Sequence, residues 1–144
     1  MSHTDQHRFA MQVAQLSRAW RGELDRRLVG LGLSQARWLV LLHLGRFAEL
    51  PTQRELAQSV GVEGPTLARL LDSLETQGLV SRQAVPEDRR AKKIALSPQA
   101  LPLIEKIEAI SAQLRQEVFA GIDEEELRRC QKVHAQVLRN LEKR

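Results

Sequence analysis

Apolar residues recur at helical spacing over most of this chain, and glycines and prolines mark where each run stops. Phe9, Val13, Leu16, Trp20, Leu24 and Leu28 step by three or four residues. They share one stripe of a predicted helix from near Asp5 to about Val29. Arg8, Gln15, Arg18, Arg21, Glu23 and Arg26 occupy its other side, and Gly30 and Gly32 break it. Ser34 is placed to cap a second helix, about Gln35 to Phe47. Trp38, Leu39, Val40, Leu41, Leu42 and Leu44 leave that helix little polar surface, which predicts the central core element. Thr52 and Glu55 have capping-box spacing at the start of a third helix, with Leu56, Ala57 and Val60 inward and Gly61 as its stop.

A fourth helix begins near Gly64-Pro65, carries Leu67, Leu70, Leu71 and Leu74 on one side, and ends at Gly78. Helix, glycine turn, helix is the helix-turn-helix pattern, although a plain helical hairpin shares it. Leu79–Val85 and Lys93–Leu96 then read as two strands across a tip, Pro86–Lys92. Ser97-Pro98 starts a fifth helix whose stripe is Leu101, Ile104, Ile107, Ile110 or Ser111, Leu114 and Val118, reaching about Ala120. After Gly121, Asp123 is placed to cap a last helix with Glu124, Glu125 and Glu126 in its first turn. Leu127, Cys130, Val133 or His134, Val137 and Leu141 line one side of it.

The predicted fold is mainly α: a winged helix-turn-helix with a small β-hairpin wing and long N- and C-terminal dimerisation helices. Residues 1–144 form a single domain, with 34–97 as the lobe and 1–33 and 98–144 as the arms. The arms' stripes exceed what so small a lobe can cover. A second copy would cover them, and two-fold dimers are the commonest oligomers. A monomeric helical bundle is the alternative.

Composition narrows the function. The chain has 144 residues, a formal net charge of +4 and a single cysteine. One cysteine excludes a disulfide within the chain and is compatible with a reducing compartment. No apolar run approaches the roughly 20 residues of a membrane helix, and Met1–Arg8 lacks the apolar core of a secretory signal. A cytoplasmic protein with no membrane partner is expected. His3, His7, His43 and His134 have no Cys, Asp or Glu at ligand spacing, so neither metal nor cofactor is expected. No nucleophile with an arranged base and no phosphate-cradling glycine loop is present, which argues against an enzyme.

The basic excess is local. Arg82, Arg89, Arg90, Lys92 and Lys93 outweigh Glu87 and Asp88 around the hairpin. A helix fits the major groove of double-stranded DNA, and arginines beside it reach backbone or minor groove. Pro65, Thr66 and Arg69 fall opposite Leu67, Leu71 and Leu74. Arg69 suits a guanine edge or a phosphate, its bland reading being a solvated arginine. Asp88 and Arg90 share one side of an extended segment, so the carboxylate can orient the guanidinium. Arg89 and Lys92 read as phosphate contacts, with Arg82 in the same basic cluster.

Residues Asp88-Arg89-Arg90-Ala91-Lys92-Lys93-Ile94-Ala95-Leu96-Ser97 resemble the wing signature of the MarR family of bacterial transcription regulators. Leu70–Val80 resembles the family's recognition helix and its exit into the wing. Trp38, Pro65, Arg69 and Ser81-Arg82-Gln83 are most similar to the SlyA branch. The resemblance implies a homodimer on a pseudo-palindromic operator, with small aromatic acids such as salicylate, or other phenolic compounds, as effectors. It also implies a nucleoid-associated location. Redox-sensing relatives keep a reactive cysteine in the first helix, where this chain has none, and Cys130 reads as a small core residue. For an effector cavity where the second helix meets the arms, Trp38 offers a flat apolar wall and Arg18 a carboxylate partner. Core packing and solvation are their alternatives. The competing function is an architectural or protein-recruiting winged helix that binds DNA without sequence choice.

Overall fold

The computed structural model describes residues 2–144, the side chains of Arg89 and Arg90 excepted. It divides into two compact units, Met1–Ala112 and Gln113–Arg144. In the first unit, helix α1 spans His3–Leu28. It starts before the expected Asp5 because the Ser2 hydroxyl accepts the Asp5 N–H at 3.0 Å. A 3-10 turn, Val29–Leu31, and Gly32 at φ 72° close it. Helix α2, Gln35–Leu44, is capped by Ser34 as expected. It stops short of Phe47, since Arg46 and Phe47 donate to His43 and Leu44 in a tighter turn. Gly45 lies where a Cβ would come 3.1 Å from the Ile104 Cγ2 atom, so the chain after α2 packs closely on the helix that carries Ile104.

Helix α3 spans Gln53–Val60 and carries the predicted capping box in both directions. The Thr52 N–H donates to Glu55 Oε1 at 3.0 Å and the Glu55 N–H to Thr52 Oγ1 at 3.1 Å. Hydrogen bonding to Thr52 holds the Glu55 carboxyl below its ordinary value. Gly61, at φ 84°, turns the chain into α4, Gly64–Thr76. Trp38, Leu41, Leu56, Leu67, Leu71 and Leu74 are fully buried between these helices, and Ile94 closes the core from the sheet.

Strands β1, Val80–Val85, and β2, Asp88–Leu96, form the antiparallel wing. Val80 faces Leu96 and Arg82 faces Ile94. The Ile94 N–H donates to the Pro51 carbonyl at 2.9 Å, and Thr52 bridges Lys93, so the wing's base is joined to the start of α3. The expected seven-residue tip is corrected to a turn at Pro86-Glu87. Beyond it, Ala84 pairs with Lys92 while Val85 pairs with Asp88, leaving residues 89–91 as surplus on β2. The long basic segment is therefore an irregular strand, because backbone pairing continues around the surplus. Such bulges bend a strand and re-aim its side chains.

After a 3-10 turn, Pro98–Ala100, helix α5 runs Leu101–Val118. Ala100, Ile104, Ile107 and Ser111 are buried, which resolves the Ile110-or-Ser111 alternative toward Ser111. In the second unit, helix α6 spans Glu124–Glu142. Asp123 occupies its cap position without a side-chain hydrogen bond, unlike the predicted cap. None of α6's residues is buried. Cys130 is accordingly exposed, which corrects its reading as a core residue.

Candidate nucleic-acid interface

The helix-turn-helix presents one polar edge of α4. Leu67, Leu71 and Leu74 face the core, which turns Pro65 and Arg69 outward, with Thr66 only half exposed. Asp72 follows Arg69 by one turn on the exposed side. The capping box orients the start of α3, where Arg54 is exposed. A groove of about 800 Å³ runs from Arg54 and Gln58, past Glu63 and Gly64 at the start of α4, to Asp88 and Lys92 of the wing. Two cations and two carboxylates thus line the space between the first turn of α3 and the bulged strand. Arg54 is the residue that sequence reasoning missed. Its signal was the capping box, which places Arg54 in the first turn of the helix that precedes the recognition helix.

The predicted DNA-contacting residues are distributed unevenly. Pro65, Thr66 and Arg69 share α4, and Asp88 and Lys92 sit across the groove from Arg54. Arg89 and Arg90 lie on the same strand, but their side chains are outside the described residues. Arg82 differs from the rest. Its guanidinium is turned onto α4, where it donates to Asp72 Oδ1 at 2.7 Å, Glu75 Oε1 at 3.2 Å and the Ala68 carbonyl at 2.8 Å.

The two residues considered for an effector separate. Trp38 is fully buried and its Nε1–H donates to Asp25 Oδ1 at 3.2 Å. It is part of the buried core and is tied to α1 by that hydrogen bond. Arg18 is exposed on α1, two turns before Asp25. A separate cavity of about 200 Å³ lies between α1, α2 and the helix-turn-helix corner. Ala36, Leu39, Val60 and Leu70 give it apolar walls, and Arg21 and Gln35 supply its polar groups. Close to it, His43 Nδ1 and Ser59 Oγ lie 2.8 Å apart, tying α2 to α3. Partial burial, with the charges of Arg46 and Arg21, lowers the His43 pKa. Among the described residues, no group of three or more His, Cys, Asp or Glu side chains could hold a metal ion.

A hairpin wing beside a helix-turn-helix, with an exposed arginine on the second helix, defines a protein of the winged helix-turn-helix class. The MarR family model matches residues 31–91, which span the helix-turn-helix and most of the wing. A solved structure described as the transcriptional regulator PA3341 is 68% identical and superposes with a TM-score of 0.90, over 94% of this chain and 99% of that one. The chain belongs to the MarR family. It is also similar to CouR from Rhodococcus jostii RHA1, solved with p-coumaroyl-CoA: 26% identity, TM-score 0.79, 90% of each chain. The S. aureus MepR–DNA complex shares the fold at 23% identity and TM-score 0.81, over 92% of this chain and 97% of that chain.

Proposed function

We propose that this chain is a sequence-specific, homodimeric regulator of the SlyA-like branch that binds a pseudo-palindromic operator. The observation that carries the reading is the exposed Arg69 edge of α4, held by one core beside a groove that ends at Lys92 of the wing. The DNA complex of MepR supports the same use of the fold. Pro65, Thr66 and Arg69 read the major groove. Lys92 and Arg54 hold phosphates; the same role expected for Arg89, and the minor-groove role expected for Arg90, fall on side chains outside the described residues. An architectural protein would need the cations without the base-reading edge. Selection of bound duplexes from a random pool separates the two: the regulator yields one palindromic site, the architectural protein yields none.

Arg69→Ala is expected to weaken the selected operator by about 1–3 kcal/mol and relax preference at one base position in each half-site. Lys92→Ala should weaken all sequences alike and lower the slope of log affinity against log salt by about one. Equilibrium titrations at several salt concentrations check both. Equal losses on operator and random DNA for Arg69→Ala would make it a phosphate contact.

Residues 1–33 and 98–144 are assigned to dimerisation and 34–97 to the DNA-binding lobe. The support is apolar surface: Phe9, Met11, Val13 and Leu16 on α1, and Val133, Val137, Leu138 and Leu141 on α6, are all exposed in the single chain. The proposed role places the protein with the DNA it binds, in the cytoplasm at the nucleoid; no helix among the described residues is long and apolar enough to cross a membrane.

A small aromatic acid is the effector class that suits the cavity between α1, α2 and the helix-turn-helix corner. Its walls accept a ring, and Arg21 can pair a carboxylate. Gly61, Val62 and Leu70 also line it, so an occupant bears directly on the recognition helix. CouR, the 26% identical relative, is solved with p-coumaroyl-CoA, a thioester that carries a phenolic ring, which supports an aromatic ring as the ligand group but not the free carboxylate. Salicylate should quench tryptophan fluorescence saturably and weaken operator binding, and Arg21→Ala should abolish both while Arg18→Ala leaves both. Abolition by Arg18→Ala instead would move the site back along α1.

A further inference from the structure

The groups around Arg82 are more fully engaged than DNA contact requires. Arg82 sits near the start of β1, opposite the buried Ile94. Its side chain is 20% exposed, against 68% for Asp72 and 45% for Glu75. One amino group of the fork serves both carboxylates and the other serves the Ala68 carbonyl. Ala68, Asp72 and Glu75 are spaced by four and three residues, so the arginine grips two successive turns of α4 along one line. Ser97 holds the base of the wing, its Oγ donating to the Gly78 carbonyl and its N–H to the Leu79 carbonyl at 3.0 Å, while the Ile94 N–H to Pro51 and the Thr52–Lys93 bridge hold β2 to the start of α3. Those attachments are at the base and on β2. The Arg82 fork ties β1 directly to α4 and so fixes the remaining edge of the wing.

We propose that Arg82 is a positioning residue: it sets the angle of the wing against the recognition helix and does not itself contact DNA. The fork also neutralises two carboxylates that stand one and two turns beyond Arg69. If Arg82 left to reach a phosphate, Asp72 and Glu75 would face the polyanion unpaired. A planar fork with several fixed donors holds three acceptors at once, whereas a lysine ammonium is a single point charge. The inference deepens the operator-binding reading above and rests on it for its DNA readout.

The test compares Arg82→Ala, Arg82→Lys, the double variant Asp72→Asn/Glu75→Gln and the combination of that double variant with Arg82→Ala against the unaltered protein. Titrations use the selected operator and random DNA across a salt range, with thermal unfolding and amide hydrogen exchange on each free protein. Positioning predicts that the double variant loses operator affinity by about five- to tenfold although two negative charges have gone. Its loss should not add to that of Arg82→Ala, and the salt slope of Arg82→Ala should equal that of the unaltered protein. Arg82→Lys should fail to restore binding. A direct phosphate contact predicts the reverse: tighter binding by the double variant, and a slope lower by about one for Arg82→Ala. That result overturns the proposal. If Arg82→Ala is unfolded, the double variant, which keeps the arginine, decides the sign. If the unaltered protein selects no operator, the regulatory reading fails and hydrogen exchange decides this one. Faster exchange across residues 80–85 in the double variant, with α2 unchanged, supports the brace, and unchanged exchange there overturns it.

Discussion

Trp38→Ala is expected to remove about 3–5 kcal/mol of folding stability, the range for emptying a large aromatic site in a packed core. The indole is fully buried, and Leu41, Leu56 and Leu71 of the same core are equally enclosed. Domains of this kind are stable by only about 5–15 kcal/mol, so the variant is expected near or beyond the unfolding threshold. Trp38→Phe separates packing from hydrogen bonding. It keeps most of the volume but removes the donor that Asp25 Oδ1 now accepts at 3.2 Å. Loss of one bond to a partly buried carboxylate costs about 1–3 kcal/mol. Urea denaturation, with unchanged slope and shifted midpoint, measures both. Trp38→Ala at full stability, with salicylate quenching abolished, would restore the tryptophan as a wall of the effector site.

Deleting residues 122–144 is expected to separate the dimer and to cut affinity for a full palindrome by about 10²–10⁴-fold, because each half-site loses the effective concentration supplied by its tethered neighbour. The deletion removes Val133, Val137, Leu138 and Leu141, the apolar side of a helix with no buried residue in the single chain. It leaves the first unit, with its own core of α2, α3, α4 and the wing, intact. Half-site affinity should therefore persist while palindrome affinity falls to the half-site value. Sedimentation equilibrium gives the assembly and titration of both duplexes gives the affinities. A truncated chain that stays dimeric and binds the palindrome undiminished would place the interface wholly on other helices.

What the sequence determined by itself is whatever local chemistry enforces. Ser34 caps α2, Thr52 and Glu55 close on each other, and Gly61 and Gly78 adopt positive φ where their helices were expected to end. Each depends on a few adjacent residues, so it is legible in a single line of residues. The outward face of Arg69 followed from the leucine spacing on α4, and the family resemblance rested on the contiguous run Asp88–Ser97. The tertiary structure decided everything that depends on a partner far along the chain. Arg82 belonged to a basic cluster until α4 supplied Asp72, Glu75 and the Ala68 carbonyl. Trp38 gained a hydrogen-bond partner only when α1 supplied Asp25. The basic tip became a bulged strand because pairing with β1 continued past Lys92, and Arg54 gained a setting only when α3 was laid beside the wing. A side chain's periodicity states which way it points. What it meets there depends on residues 7 or more positions away, and those contacts are made only when the helices and the wing close on one core.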